Sequence, residues 1–382
     1  MRFALLGCGS VGSVIAKFLT EDFRGAELVV FDKLTEVCRE RLTKLGAGDV
    51  PVEFADANNA ELLANILREY DLVIDALPGY LGINALRACI KAQANLVSVS
   101  FMPEDPMEFR EEVIDAGVTV VPDAGLAPGI SNVLAGRLLW VLDSVDEIGI
   151  YVGGLPAELV PPLDYVVTWS ATDLIEEYVR PARLISNGEV RFVDPLSAIL
   201  KVEFKGFGVL EGFYSDGLRT LLHTLKGKVR RAYEVTLRYP GHLSKIKLLC
   251  DLGFFSDEEL SIGGVSIKPK EFTARVLDKK LRLKGVRDLV LLKVVGLGTR
   301  SGETIKIVCK RIETGSEPVS AMAKTTAAPA TAAATLVANK MLPAGVVPPE
   351  YIGLSNELYN EFTKHLLRRS VKVECSEYPP NK

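Results

Sequence analysis

The chain has 382 residues, of which 48% are hydrophobic, 25% charged and 7% aromatic. That length fits roughly two to three domains at about 150 residues each, and the composition excludes a disordered, collagenous or coiled-coil chain. A net charge of −4 argues against a nucleic-acid footprint, and three histidines (His223, His242, His365) are too few and too scattered to build a metal site.

The first 125 residues alternate short β-rich runs with stretches of helical spacing. The runs fall at 2–6, 27–32, 50–54, 72–76, 95–99 and 117–121, with helical stretches at 12–18, 34–45, 58–70, 81–92 and 106–116. In 58–70, Leu62, Leu63, Ile66 and Leu67 recur at the spacing of one helix face. Strands alternating with helices of this length imply βαβ units, a doubly wound parallel sheet and right-handed crossovers. The strand runs are almost wholly apolar, as expected when both faces of the sheet are covered.

Beyond residue 125 the texture changes. A helix at 129–142 precedes runs at 148–152, 190–193, 201–204, 233–239, 266–268, 289–295 and 304–310 that read as alternating antiparallel strands. An α+β substrate or dimerisation domain over 126–317 is the expectation. Residues 268–311 hold 13 Lys or Arg against 4 Asp or Glu, read as a solvated sheet face. Helical spacing returns in 321–341, where Pro329 predicts a kink or two helices, since proline costs about 3 kcal/mol inside a helix. Its small residues permit close packing, and the segment 318–382 is expected to return to the first domain.

Six cysteines (8, 38, 89, 250, 309 and 375) lie at least 30 positions apart with no CxxC pair, which predicts reduced, buried thiols. The apolar stretch 325–339 is shorter than the roughly 18 residues that span a bilayer. The run Phe3-Ala4-Leu5-Leu6 is too short for a signal sequence. A soluble cytoplasmic protein, without membrane or nucleic-acid partners and without metal, is expected.

Gly7-Cys8-Gly9-Ser10-Val11-Gly12 follows the first strand and opens the first helix. In a GxGxxG turn of this kind Gly7 permits the tight turn, Gly9 admits a pyrophosphate and Gly12 allows close helix–strand contact. Ser10 and Val11 lie at the helix start, whose free amides hold phosphates. Asp32 ends the second strand 20 residues past Gly12. A carboxylate there accepts from both ribose hydroxyls and repels a 2′-phosphate, which points to NAD as cofactor. Lys33 follows directly and softens that preference. Ala76-Leu77-Pro78 and Ser100 close two further strands at their carboxyl ends, where ligands bind in open α/β sheets.

At Pro122-Asp123-Ala124-Gly125-Leu126-Ala127-Pro128-Gly129 the chain resembles the saccharopine dehydrogenase-like family, and the resemblance covers nearly its whole length. It extends through Thr168-Trp169-Ser170, Ser215-Asp216-Gly217-Leu218-Arg219, Thr236-Leu237-Arg238-Tyr239-Pro240-Gly241-His242 and Met322-Ala323-Lys324-Thr325-Thr326. The resemblance implies an N-terminal Rossmann domain joined to an α+β domain, and amine–carbonyl chemistry on amino acids. Saccharopine reductases carry an Asp before the Pro-Gly that contacts substrate, where this chain has Ala127. The segment from Pro162 to Ala182, with Asp164-Tyr165 and Glu177-Tyr178, looks more like the L-lysine 6-dehydrogenase branch. That branch implies oxidation of the lysine ε-amine to an imine, hydrolysed to a semialdehyde that cyclises. A saccharopine or carboxyspermidine-type reductase is the alternative, and a non-catalytic dinucleotide-binding regulator is an alternative of another class. A homodimer is expected.

Such a reaction needs a proton acceptor for the ammonium, support for the cationic imine and a cation for the substrate carboxylate. Asp123, after the sixth strand, is assigned to the amine or iminium, with a helix-entry role as the alternative. The resemblance carries Arg219 and Thr236 over to substrate binding, Arg219 as the carboxylate clamp. Trp169 and Ser170 are read as walls of an alkyl pocket. His223, four residues past Arg219, would share its face if the segment is helical.

Overall fold

Alternate residues of the first strand go to different cores, and that divides the N-terminal half into layers. In β1 (Arg2–Leu6), Phe3 and Leu5 join the cluster that includes Val14, Ile15 and Leu19, while Ala4 and Leu6 join the one that includes Leu63, Leu67 and Leu86. The computed structural model describes residues 1–283 and 285–379. Lys284 of the basic stretch and residues 380–382 of the C-terminal segment lie outside the described residues.

The chain continues through α1 (Ser10–Asp22), β2 (Glu27–Asp32), α2 (Thr35–Lys44), β3 (Val52–Phe54), α3 (Ala60–Leu67), β4 (Leu72–Asp75), α4 (Gly79–Ala92), β5 (Asn95–Ser98), α5 (Arg110–Asp115) and β6 (Thr119–Val121). The strands form a parallel sheet in the order β6-β5-β4-β1-β2-β3, extended beyond β6 by Gly345–Val346. Chain order reverses at β1, so a crevice opens at the carboxyl ends of β1 and β4.

After α6 (Ile130–Val141) a mixed nine-stranded sheet is built around the long strands Ser144–Pro156 and Asp288–Arg300. Its pairings are antiparallel except that Arg231–Arg238 runs parallel to Ser144–Pro156, a departure from the expected all-antiparallel arrangement. The run 266–268 belongs to a small separate hairpin, Leu260–Ile262 with Val265–Ile267. No helix among the described residues is long and apolar enough to cross a membrane.

One sequence expectation is narrowed and one corrected. The segment forms one helix, Ala321–Ala338, with Pro329 inside it, rather than two. It is buried nearly all round, with Ala327, Ala328, Ala330 and Ala332 at 0–1% exposure, and packs on α1 and on helix Asn356–Arg368. Tertiary packing on small side chains outweighs the proline penalty. Its first amides, of Ala321 and Met322, donate to the Asp288 carboxylate at 2.6 and 2.8 Å. The cysteines are not all reduced either: Cys8 is bonded to Cys38 and Cys309 to Cys375. The folded chain brings their Cα atoms to 5.4 and 4.0 Å, and neighbouring strands set Cys309 opposite Cys375, which separations of 30 and 66 positions conceal.

Candidate active site

The glycine-rich loop is shaped by contacts of its own backbone. A side-chain carbon on Gly12 would lie 2.1 Å from the Gly7 carbonyl oxygen, whereas one on Gly9 meets nothing within 4 Å. Gly12 therefore serves the fold and Gly9 keeps open the space a pyrophosphate needs. Gly9→Ala is expected to fold like wild type yet bind a dinucleotide at least about 10-fold more weakly, the factor that 1.4 kcal/mol carries. Gly12→Ala is expected to lower the melting temperature. Equal dinucleotide affinity in Gly9→Ala, measured by fluorescence titration, would contradict the assignment.

Asp32 sits at the end of β2 and is held from both sides. Its Oδ2 accepts from the Cys8 amide at 2.6 Å and its Oδ1 from the Leu34 amide at 2.7 Å. Lys33 (paired with Asp56 at 3.0 Å) and Arg41 (donating to the Cys8 carbonyl at 2.8 Å) stand beside it. All line a cavity of about 740 Å³ that also takes in Gly7, Gly9, Ser10, Val11 and Gly12, then Ala76, Leu77 and Pro78. Ser100 does not line it: its hydroxyl donates to the Leu77 carbonyl at 2.8 Å and braces that loop from behind.

The same cavity continues into a charged chamber beneath the second sheet. Ser170 caps the helix Ala171–Val179 by accepting from the Asp173 amide at 3.2 Å. Asp173 in turn accepts from the Gly79 amide at 3.2 Å, so the second half of the chain caps α4 of the first. That helix brings Glu176, Glu177 and Arg180 to the chamber wall, beside Trp169, whose indole donates to the Tyr165 hydroxyl at 3.2 Å. Across from it, strands Gly208–Ser215 and Arg231–Arg238 pair antiparallel with Ser215 opposite Glu234. Glu234, Thr236 and Arg238 share one face by the period of two and all line the chamber, while Val235 and Leu237 face the apolar core on the other side.

Most of these charges are already matched. Arg238 donates to Glu177 at 2.7 Å and to the Tyr178 hydroxyl at 2.9 Å. Arg183 holds Asp216 through two contacts of 2.8 Å. Asp123 lines the chamber, but both its oxygens accept from Arg219 Nε, at 3.3 and 3.4 Å, in an ion pair with each side chain 1% exposed. Both residues sit at positive φ (53°), a conformation that costs a non-glycine residue about 1–2 kcal/mol. Burial pushes the Asp123 carboxyl above its ordinary value, against the pull of the guanidinium. The pairing engages both Asp123 oxygens, so the carboxylate is already partnered.

Arg219, expected at a substrate carboxylate, does not line the cavity, and its guanidinium pairs with Asp123. His223 lies elsewhere. The helix Leu221–Leu225 begins only after Arg219, and the His223 side chain, 51% exposed, pairs with Asp105 at 2.6 Å outside the cavity. His242 is buried between the Tyr178 hydroxyl and the Leu163 carbonyl. Burial lowers its pKa to about 3, so it is a neutral structural group.

Among the described residues, the buried polar atoms that lack a hydrogen-bond partner include two on side chains lining this cavity: Nη1 of Arg180 and Oε2 of Glu234. Arg180 stacks over Phe101 at 4.4 Å, with its nearest carboxylate, Glu176, at 3.9 Å. A guanidinium and a carboxyl that each keep a buried atom without a hydrogen bond in one chamber are what a zwitterionic ligand would complete. Sequence reasoning passed over both residues, although Glu234 shares the parity of Thr236. No group of three or more His, Cys, Asp or Glu among the described residues is arranged to hold a metal.

Two family models match the chain, “Saccharopine dehydrogenase NADP binding domain” over residues 3–121 and “Saccharopine dehydrogenase C-terminal domain” over residues 125–371. The chain is 27% identical over 279 residues to the mitochondrial alpha-aminoadipic semialdehyde synthase of Mus musculus, covering 67% of this chain and 29% of that protein. It is 29% identical over 266 residues to the NADP(+), L-glutamate-forming saccharopine dehydrogenase of Pyricularia oryzae, covering 64% of this chain and 58% of that one. The matches thus span less than two thirds of these curated relatives. The solved apo saccharopine dehydrogenase (L-Glu forming) of Saccharomyces cerevisiae has the same fold, with a TM-score of 0.79 at 18% identity over 99% of both chains. With its glycine-rich loop, its two-part cavity and family matches over nearly all its length, the chain belongs to the saccharopine dehydrogenase family of oxidoreductases, its N-terminal domain binding a nicotinamide dinucleotide.

Proposed function

We propose that this protein is an NAD-dependent dehydrogenase that oxidises the side-chain amine of L-lysine, or of a close analogue, to the semialdehyde. The observation that carries the reading is that a guanidinium and a carboxyl, Arg180 and Glu234, each turn a buried polar atom without a hydrogen-bond partner to a chamber continuous with the dinucleotide loop. Arg180 suits the substrate carboxylate, because a planar guanidinium matches it bidentately. Phe101 and Trp169 suit the methylene chain. Ala127, also on the wall, offers no charge to a second amino-acid moiety such as saccharopine carries.

The loop from Gly7 to Gly12 would hold the pyrophosphate and Asp32 the ribose hydroxyls, with Ala76, Leu77 and Pro78 opposite. The bound dinucleotide supplies the hydride acceptor. Asp32 would repel a 2′-phosphate, whereas Lys33 and Arg41 beside it would attract one, and the fungal relative is named for NADP(+). Asp32→Ser is therefore expected to shift the NAD:NADP ratio of kcat/KM toward NADP by about 10², since a like-charge contact costs several kcal/mol. A wild type that prefers NADP, or a variant with an unchanged ratio, contradicts the assignment.

A panel of amino acids with NAD, with and without 2-oxoglutarate, tests the reaction. Lysine alone should give NADH. If saccharopine gives reduced cofactor and lysine does not, the second reading, a saccharopine-type reductase, holds.

A further inference from the structure

We propose that Glu234 is the general base of this reaction, its Oε2 taking the proton from the substrate ammonium before hydride leaves the adjacent carbon; this rests on the amine-dehydrogenase reading. The other carboxylates of the chamber each have a partner. Asp123 is held by Arg219, Asp216 by Arg183, Glu177 by Arg238 and Glu176 by Lys270, while Asp173 takes the Gly79 amide. Glu234, 4% exposed, has no cation within ion-pair distance among the described residues. Its Oε1 accepts from the Ser215 hydroxyl at 3.1 Å, and Ser215 in turn accepts from Thr236 at 2.8 Å. That relay fixes the carboxyl and leaves Oε2 without a partner. In the step proposed, an N–H bond of the ammonium breaks and an O–H bond forms on Glu234. The neutral amine then loses hydride from its carbon to the dinucleotide, leaving an iminium that takes up water.

The surroundings suit a base working above neutrality. Burial, with the charges of Glu177, Asp216 and Asp123 on three neighbouring segments, pushes the Glu234 carboxyl up to about 8, against the Ser215 hydrogen bond. Arg238, Arg183 and Arg219 are each paired with one of those three neighbours. Free Glu234 is therefore mostly protonated at pH 7, and a bound ammonium would drive its proton out.

The test compares wild type with Glu234→Gln by isothermal calorimetry of lysine binding to the dinucleotide-free protein in buffers of different ionisation enthalpy, and by kcat/KM against pH. The amide has the shape of the protonated carboxyl, so the variant should fold. The folded-state pKa of this acid is raised, so its ionisation works against folding from about pH 4.5 up to about 8, and the variant should melt at or above the wild-type temperature beyond pH 8. Wild type should release about one proton per lysine at pH 7, and the variant none. The wild-type rate should rise through about pH 8. The variant should lose that limb and about 10²- to 10⁴-fold in kcat, keeping only the rise toward about 10.4 from lysine itself. Should Glu234→Gln not accumulate, Ser215→Ala replaces it, and the limb must move to higher pH; a limb that stays overturns the proposal. A variant that releases the proton and turns over like wild type overturns Glu234 and leaves the dehydrogenase reading standing. A wild type that binds lysine with proton release but forms no NADH supports Glu234 as the ammonium acceptor and sinks the dehydrogenase reading. A wild type that does neither overturns both.

Discussion

Arg219→Ala is expected to destabilise the protein by about 3 to 5 kcal/mol, the usual consequence of stranding one charge of a buried pair. With both side chains 1% exposed, solvent would compensate Asp123 only in part for the lost guanidinium. Burial already raises the Asp123 pKa, and without Arg219 nothing adjacent opposes that shift. A raised carboxyl pKa means stability is lost as pH climbs from the unfolded value, 3.8, through the folded one. The deficit should therefore be larger at pH 8 than at pH 5. Adding Asp123→Asn, which removes the stranded charge, should recover much of it. Urea denaturation of the two single variants and the double variant measures this. A loss below about 1 kcal/mol together with a raised KM for lysine would return Arg219 to the substrate, as the sequence suggested.

Arg180→Ala is expected to lower kcat/KM for lysine by about 30-fold or more, corresponding to the 2 kcal/mol or more lost with a charge-assisted pair. Dinucleotide affinity should hold, because Arg180 lies on the chamber wall formed by the helix Ala171–Val179 and its C-cap. The rate with 1,5-diaminopentane, which is lysine without its carboxylate, should also hold. Arg180→Lys should fall between, since an ammonium lacks the planar fork. If the diamine loses as much as lysine, Arg180 does not hold the carboxylate.

The dinucleotide half was legible because its information is local. The apolar runs mark a sheet covered on both faces, and Gly7 to Gly12 with Asp32 mark its ligand crevice. The substrate half was legible only in outline. Alternation in 233–239 identified a strand and the resemblance made Thr236 a candidate, while the faces of that strand, with Glu234 and Arg238 beside Thr236, went unread. Which charges are matched depends on partners far off in sequence, 96 positions for Asp123 with Arg219 and 61 for Glu177 with Arg238. Those distances hid that Arg219 pairs with Asp123 away from the cavity wall, whereas Arg180 lines it. His223 was misplaced because the left-handed turn at Arg219 precedes the helix and breaks the assumed common face. The same blindness to distant contacts hid both disulfides, and it made Pro329 look like a break in a helix that packing keeps whole.

Mass spectrometry of the NADH formed from NAD and deuterated lysine, with no oxo acid present, tests the central claim most directly. Lysine carrying two deuteriums at C6 should give NADH one mass unit heavier, and lysine deuterated at C2 should give unlabelled NADH. Label arriving from C2 would mean oxidation at the α-amine, with the substrate bound the other way round. No NADH from either lysine, with reduced cofactor formed from saccharopine instead, would contradict the amine-dehydrogenase account outright.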